Sequence, residues 1–161
     1  MNIQIDINGT IKRTMDSITK FGTFWKEREF PDNFGPAVSH LLVIGLLPAA
    51  GMLLASFLFW LAFLIKFGGL GFGFFFSQIL FAPIAMYAFF VVMPPVMGMI
   101  LAAVAPNIGI EKGDANAYAT ILAYSVSPAA VASFISSAIM GVFGFLFVVS
   151  GAFGLIGVFT L

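Results

Sequence analysis

The sequence predicts an all-α fold: a polytopic transmembrane helix bundle of about four spans, preceded by an amphipathic interfacial helix. Three observations predict it. Hydrophobic residues make up 61% of the 161 residues and charged residues only 9%, against about 45–50% and about 25% in soluble domains. A soluble domain of this size has too much surface for its volume to hide that apolar content, and disorder requires the opposite composition. The second observation is the charge map. Of the seven basic and seven acidic residues, all but Lys66 lie within residues 6–32 or at Glu111, Lys112 and Asp114. The third is length, because the uncharged stretches between these clusters suffice to cross a bilayer core about 30 Å thick, which takes ~20 helical residues.

The same arithmetic excludes several classes of function. Formal net charge is zero, so nothing draws the chain as a whole to nucleic acid. There is no cysteine, which removes disulfides, thiolate metal sites and thiol nucleophiles. Seventeen glycines and 21 phenylalanines suit a lipid-embedded bundle, in which small residues allow close helix contact. The opening residues are the most polar of the chain, so no cleavable signal peptide is expected there.

Residues 1–37 form the polar N-terminal segment and 38–161 the membrane domain. Within the first, residues 8–29 read as an amphipathic helix. Ile11, Met15, Ile18 and Trp25 follow a three-to-four spacing with Phe21 and Phe24 beside them, while Lys12, Asp16, Lys20 and Lys26 lie mainly elsewhere. Such a helix lies flat among lipid headgroups or docks a cytoplasmic partner. The first span runs over 38–65, with a bend expected at Pro48, and Lys66 ends it with its ammonium reaching toward headgroups. Residues 68–73 are glycine-rich and read as a turn. They lack the lysine and hydroxyl of a phosphate-binding loop.

The second span covers 74–105, about 48 Å if fully helical. Tilt, a break at Pro94-Pro95 or a protruding end would accommodate the excess. From Ala115 to Leu161 there is no charge, and one helix of that length would measure about 70 Å. The sequence therefore predicts a fold-back near Ser136–Gly141, giving spans of 117–136 and 141–161. Five basic residues precede the first span, whereas the first loop has only Lys66 and the 106–116 loop only Lys112. This bias places the N-terminus in the cytoplasm.

Few residues offer chemistry. Pro48, Pro83, Pro94, Pro95 and Pro128 interrupt presumed spans. Each frees a backbone carbonyl, which serves packing and kinking or, in a transporter, a substrate site. Ala115, Ala119, Ala123 and Ser127 recur at four-residue intervals and offer one small-residue face for close helix approach, with Gly144 and Gly151 as a second contact line. Gln78, Tyr118, Tyr124, Ser125 and Ser127 supply polar groups that either lock helices together or line a polar pocket. Met86, Met93, Met97 and Met99 read as core packing rather than copper ligands, since no cysteine or histidine accompanies them. Trp25, Lys26, His40, Lys66 and Asp114 are expected at the interface, with Asp114 near a helix N-cap. No His-Glu-x-x-His or Gly-x-Ser-x-Gly motif occurs, and no carboxylate lies inside a span. Catalytic residues, metal ligands and cofactors are accordingly not expected, nor is a proton-coupled pump.

The segment Asp114–Pro128 reads Asp-Ala-Asn-Ala-Tyr-Ala-Thr-Ile-Leu-Ala-Tyr-Ser-Val-Ser-Pro. It resembles the signature of the Yip-domain (Ypt-interacting protein) family, a polar loop followed by Ala-Tyr-Ser-x-x-Pro inside a membrane helix. Ala123, Tyr124, Ser125 and Pro128 carry the match. The aromatic-basic segment at Phe24-Trp25-Lys26 and the two long spans after it are similar to the family's arrangement. The resemblance implies a cytoplasmic N-terminus, a bundle of five helices and, in eukaryotic members, association with Rab-type small GTPases in vesicle trafficking. This chain departs from the pattern in its short N-terminal region and in supplying four predicted spans. The expected function is a non-enzymatic scaffold or accessory subunit in contact with membrane lipids and with a membrane-protein partner or a second copy. The alternative is a passive transporter or channel component for a small solute.

Overall fold

The computed structural model describes residues 5–24, 34–67, 72–109 and 114–159, and side chains for all of these except 21, 72–78 and 151–159. All regular structure among the described residues is helical. The elements are α1 (Ile7–Thr19), α2 (Phe21–Phe24), α3 (Gly35–Ile44), α4 (Leu46–Phe67), α5 (Phe72–Val104), a 3-10 turn (Ala105–Ile108) and α6 (Ala115–Phe159).

Three helical stretches are long and apolar enough to cross a membrane: Gly35–Phe67, Ile79–Ile108 and Ala115–Ser150, of 33, 30 and 36 residues. At 1.5 Å per residue these measure about 50, 45 and 54 Å. The first begins at Gly35 because Pro36 occupies the opening turn, where its missing N–H interrupts no ladder. It is interrupted once, at Gly45, whose N–H still bonds Leu41 O at 2.9 Å. Pro48 stands one turn further on. Its ring excludes the carbonyl of Ile44 from the helical ladder, which is why the helix divides here into α3 and α4.

The other prolines do not break their helices. Pro83, Pro94 and Pro95 lie inside the uninterrupted α5, and Pro128 inside the uninterrupted α6. The expected break at Pro94-Pro95 is therefore absent. α5 stops instead at Ala105–Ile108, capped by Gly109 in the left-handed conformation (φ 77°), the only positive φ among the described residues.

The expected fold-back at Ser136–Gly141 is also overturned. α6 continues through it without interruption for 45 residues, so the described residues hold three long apolar helical stretches. Gly141 serves packing and not turning: a Cβ there would stand 2.6 Å from Ala55 Cα. A glycine inside an apolar helix signals close approach as readily as a turn, and Gly141 is buried against α4 here.

α3–α4 and α6 run parallel, since Gly51 abuts Phe134, Ala55 abuts Gly141, and Phe59 abuts Gly144. α5 runs antiparallel between them in sequence, placing Gly98 against Ala119 and Tyr87 beside Leu42. The α4–α6 contact is the most extensive of the bundle, followed by α5–α6 and α4–α5. Away from these seams the helices show Phe81, Phe89, Met99, Phe143 and Phe147 on the outside. Large apolar side chains in that position suit a hydrocarbon solvent.

The N-terminal helix expected over residues 8–29 divides into α1 and α2 within the described residues. α1 ends at Thr19, Lys20 N–H closing onto Asp16 O, and α2 adds one further turn. Trp25 and Lys26 lie outside the described residues. α1 packs on α6 and α3 and buries Thr10, Thr14 and Ser17, while Ile7, Ile11, Met15 and Ile18 face outward. The three buried hydroxyls donate to carbonyls of their own helix, Asp6 O, Thr10 O and Thr14 O, at 2.8–2.9 Å. Satisfying the donors locally lets this hydroxyl face enter the protein. Asp6 caps the helix, its Oδ1 accepting from Gly9 N–H at 2.8 Å. Asp6→Ala is expected to cost α1 about 1 kcal/mol. Hydrogen exchange would show it as lost protection confined to residues 7–19, and unchanged protection would contradict the cap.

Candidate functional site

The buried polar groups of the described chain gather where α1, α3 and α6 meet: Thr10, Thr14 and Ser17 on α1, Ser39 and His40 on α3, and Thr120 and Ser127 on α6. At the centre, His40 Nε2 lies 2.7 Å from Ser127 Oγ, joining residues 87 positions apart in sequence. Their rings and hydroxyls are sealed, His40 at 0% and Ser127 at 1% exposure. The Tyr124 ring closes the third side, its centroid 4.8 Å from that of His40 at an interplanar angle of 52°. That separation falls within the favourable range for aromatic pairs. One turn earlier on α6, Thr120 Oγ1 is buried with no partner among the described residues.

The backbone explains why these residues meet. α6 offers Ala119, Ala123, Ser127 and Ala130, all buried, so α3 and α5 can approach closely. Ala37, Leu41 and Ile44 of α3 pack with Ala123, Tyr124 and Ala130 to form the apolar core around the polar pair. With only small side chains between the helices, the hydroxyl of Ser127 reaches the imidazole without a bridging group.

The expected site residues divide accordingly. Ala119, Ala123 and Ser127 of the small-residue ladder are buried, and Ala115 at its start is half-buried. Gly144 meets the Phe59 ring, whereas the surroundings of Gly151 and the Gln78 side chain lie outside the described residues. Of the anticipated grouping of Tyr118, Tyr124, Ser125 and Ser127, Tyr124 and Ser127 lie together against His40, and Ser125 points elsewhere. Ser125 is exposed and donates to Leu122 O of its own helix at 2.9 Å, because one residue is about 100° on a helix and turns it away from Tyr124. Tyr118 is half-buried.

His40, expected at the interface, is instead enclosed by protein. The helix begins at Gly35 rather than residue 38, which carries His40 more than one turn into it. A signal for this was present: a lone imidazole in an apolar helix needs a hydrogen-bonding partner. Lys66 occupies the last turn of α4, where a cation suits the helix dipole, with its ammonium 5.4 Å from the centroid of Phe67. Asp114 caps α6, accepting from Asn116 N–H at 3.2 Å.

A serine hydroxyl on an imidazole is also the arrangement of a nucleophile and its base. Here no carboxylate is described beside His40, and Ser127 Oγ is closed to any reactant. Among the described residues no cluster of His, Asp or Glu could hold a metal ion. What the arrangement does chemically is hold α3 to α6 by a hydrogen bond inside an apolar setting. A second such bond runs from Tyr87 Oη to Leu42 O at 3.2 Å, joining α5 to α3.

Comparison with protein-family models, with curated proteins and with solved structures found no match to this chain.

Proposed function

We propose that this chain is a non-enzymatic, multi-pass membrane protein of Yip-domain type that acts as a scaffold or accessory subunit of a membrane assembly. The observation that supports this reading is that Ser127, within the Asp114–Pro128 segment, joins α6 to α3 through a sealed contact with His40. Ser127 is taken up by His40 and Tyr124 stacks beside it, while Gly98 and Gly141 bring backbones together without intervening side chains. A bundle locked in this way presents fixed surfaces.

In this reading three crossings carry the chain through the bilayer, with residues 5–24 on the cytoplasmic side, where the basic residues cluster. α1 lies at the headgroup level with its isoleucine ridge toward lipid, and residues 106–116 share its side of the membrane. The outward-facing apolar surface of α5 and α6 supplies contact area for a membrane-protein partner or a second copy.

Two measurements test the reading. Extraction in mild detergent is expected to yield a stable complex, hetero- or homo-oligomeric, and a lone monomer under gentle conditions would count against it. Proteoliposomes are expected to show no solute flux above protein-free vesicles. Flux that falls in Tyr124→Phe or Ser127→Ala would favour the passive-transporter alternative.

A further inference from the structure

Midway along the α4–α6 seam the two helices part on one flank to leave a cavity of about 440 Å³. It is lined on α4 by Met52, Ser56 and Phe59 and on α6 by Ser136, Ser137 and Met140. The cavity cannot close by bringing the helices nearer. Gly51 against the Phe134 backbone and Gly141 against Ala55 already set the helices at backbone contact. The small serines leave the flank unfilled. Its volume falls within the range of small-molecule sites, about 300–1,000 Å³, and an empty apolar space of that size forfeits the dispersion contacts of every atom lining it.

The chemistry of the lining narrows the occupant. No charged residue lines the cavity, and the nearest charge along α4 is Lys66, seven residues beyond Phe59 or about 10 Å of helix. An ionic headgroup has no counterpart here. The Ser136 hydroxyl donates to Ser133 O at 3.2 Å, whereas the half-buried Ser56 and Ser137 show no side-chain hydrogen bond among the described residues and keep their hydroxyls accessible from the cleft. Hydroxyls surrounded by hydrocarbon without a partner are costly. An occupant that repaid both the void and the hydroxyls would be a long apolar chain bearing one uncharged oxygen.

We propose that this cleft is a lipid-binding site, selective for an uncharged long-chain lipid whose alcohol oxygen hydrogen-bonds Ser56 and Ser137. The proposal rests on the membrane reading given above. Its mouth opens sideways between two long apolar helices, so the ligand enters from the bilayer and not from water.

Photolabelling in reconstituted bilayers tests it. Three diazirine probes of equal chain length are compared: a long-chain alcohol, an alkane and a phosphatidylcholine. The alcohol is expected to label peptides containing residues 52–59 and 136–140 about tenfold more than the alkane, the ratio that one net hydrogen bond supports. Ser56→Ala with Ser137→Ala should abolish that preference while the helical circular dichroism and elution volume stay unchanged. Equal labelling by all three probes, or a preference that survives the double substitution, would show a cleft filled by bulk lipid and overturn the proposal. So would protection of the cleft from every probe together with disulfide cross-linking of Met140→Cys between copies, since a second chain would then be the occupant. The protein has no native cysteine to confuse that result. A chain that fails to insert into bilayers overturns the membrane reading itself, whereas these labelling outcomes touch the lipid site alone.

Discussion

Gly98→Leu is expected to unseat α5 from α6 and to abolish the compact bundle. A Cβ at Gly98 would stand 2.6 Å from both Ala119 Cα and Ala119 N. The obstacle is backbone and cannot rotate aside, as a side chain would. Overpacking of an ordinary core costs about 1–3 kcal/mol, and here the only relief is to move one helix away from the other. Gly98→Ala is the sharper test. In an unpacked helix this change gains up to about 1 kcal/mol, so a net loss of stability can arise only from the contact with Ala119. Gly22→Ala is the control, since nothing lies within 4 Å of the added atom. Unfolding in mixed micelles of increasing SDS fraction would rank the three variants. A Gly98→Ala protein more stable than the parent would show that the α5–α6 seam is not as close as described.

The second large effect is expected at the α3–α6 crossing. His40→Leu leaves the Ser127 hydroxyl buried without the imidazole, and Ser127→Ala removes the hydroxyl that His40 Nε2 meets. Each is expected to destabilise the bundle by about 1–3 kcal/mol. The two replacements together should cost less than their sum, because the double variant strands neither group. A double-mutant cycle in the same unfolding assay isolates the difference, expected at about 1 kcal/mol. Additive losses would mean that the 2.7 Å contact contributes nothing beyond the packing of each residue. The cycle also bears on function: if the pair is a structural lock, the variants should lose oligomeric partners in step with stability.

Much of the candidate site was legible in the chain before its fold was known. Ala119, Ala123 and Ser127 at intervals of four announce a contact face, because i and i+4 lie one above the other on a helix. Asp114 announces a helix start through its short acceptor side chain. The enclosure of His40 is not legible locally, because it depends on α3 beginning at Gly35 and on Ser127 and Tyr124 of α6 facing it. Ser125 was misplaced for a related reason: residues adjacent in sequence point about 100° apart on a helix, so proximity in the chain to Tyr124 and Ser127 says little about proximity in space.

The uninterrupted course of α6 through residues 136–141 has a tertiary cause. A length rule derived from bilayer thickness treats each helix alone, whereas α6 packs in parallel on α4 at Phe134, Gly141 and Gly144, across the expected turn. Gly141 and Gly144 carry no mark distinguishing a turn from a seam. Their meaning depends on Ala55 and Phe59, residues more than 80 positions away.

Composition and the spacing of charges were sufficient to predict an all-helical chain with long apolar segments, since these follow from the local periodicity of the backbone and from the transfer free energy of side chains. The direction in which helices pair, the burial of the hydroxyl face of α1, the His40–Ser127 bond and the cleft beside Ser56 and Ser137 were not written in any local stretch. Each depends on which side chains face one another across a seam, and in a chain so uniformly apolar, hydrophobicity cannot distinguish one face of a helix from another. Steric fit between particular glycines, alanines and rings makes that choice.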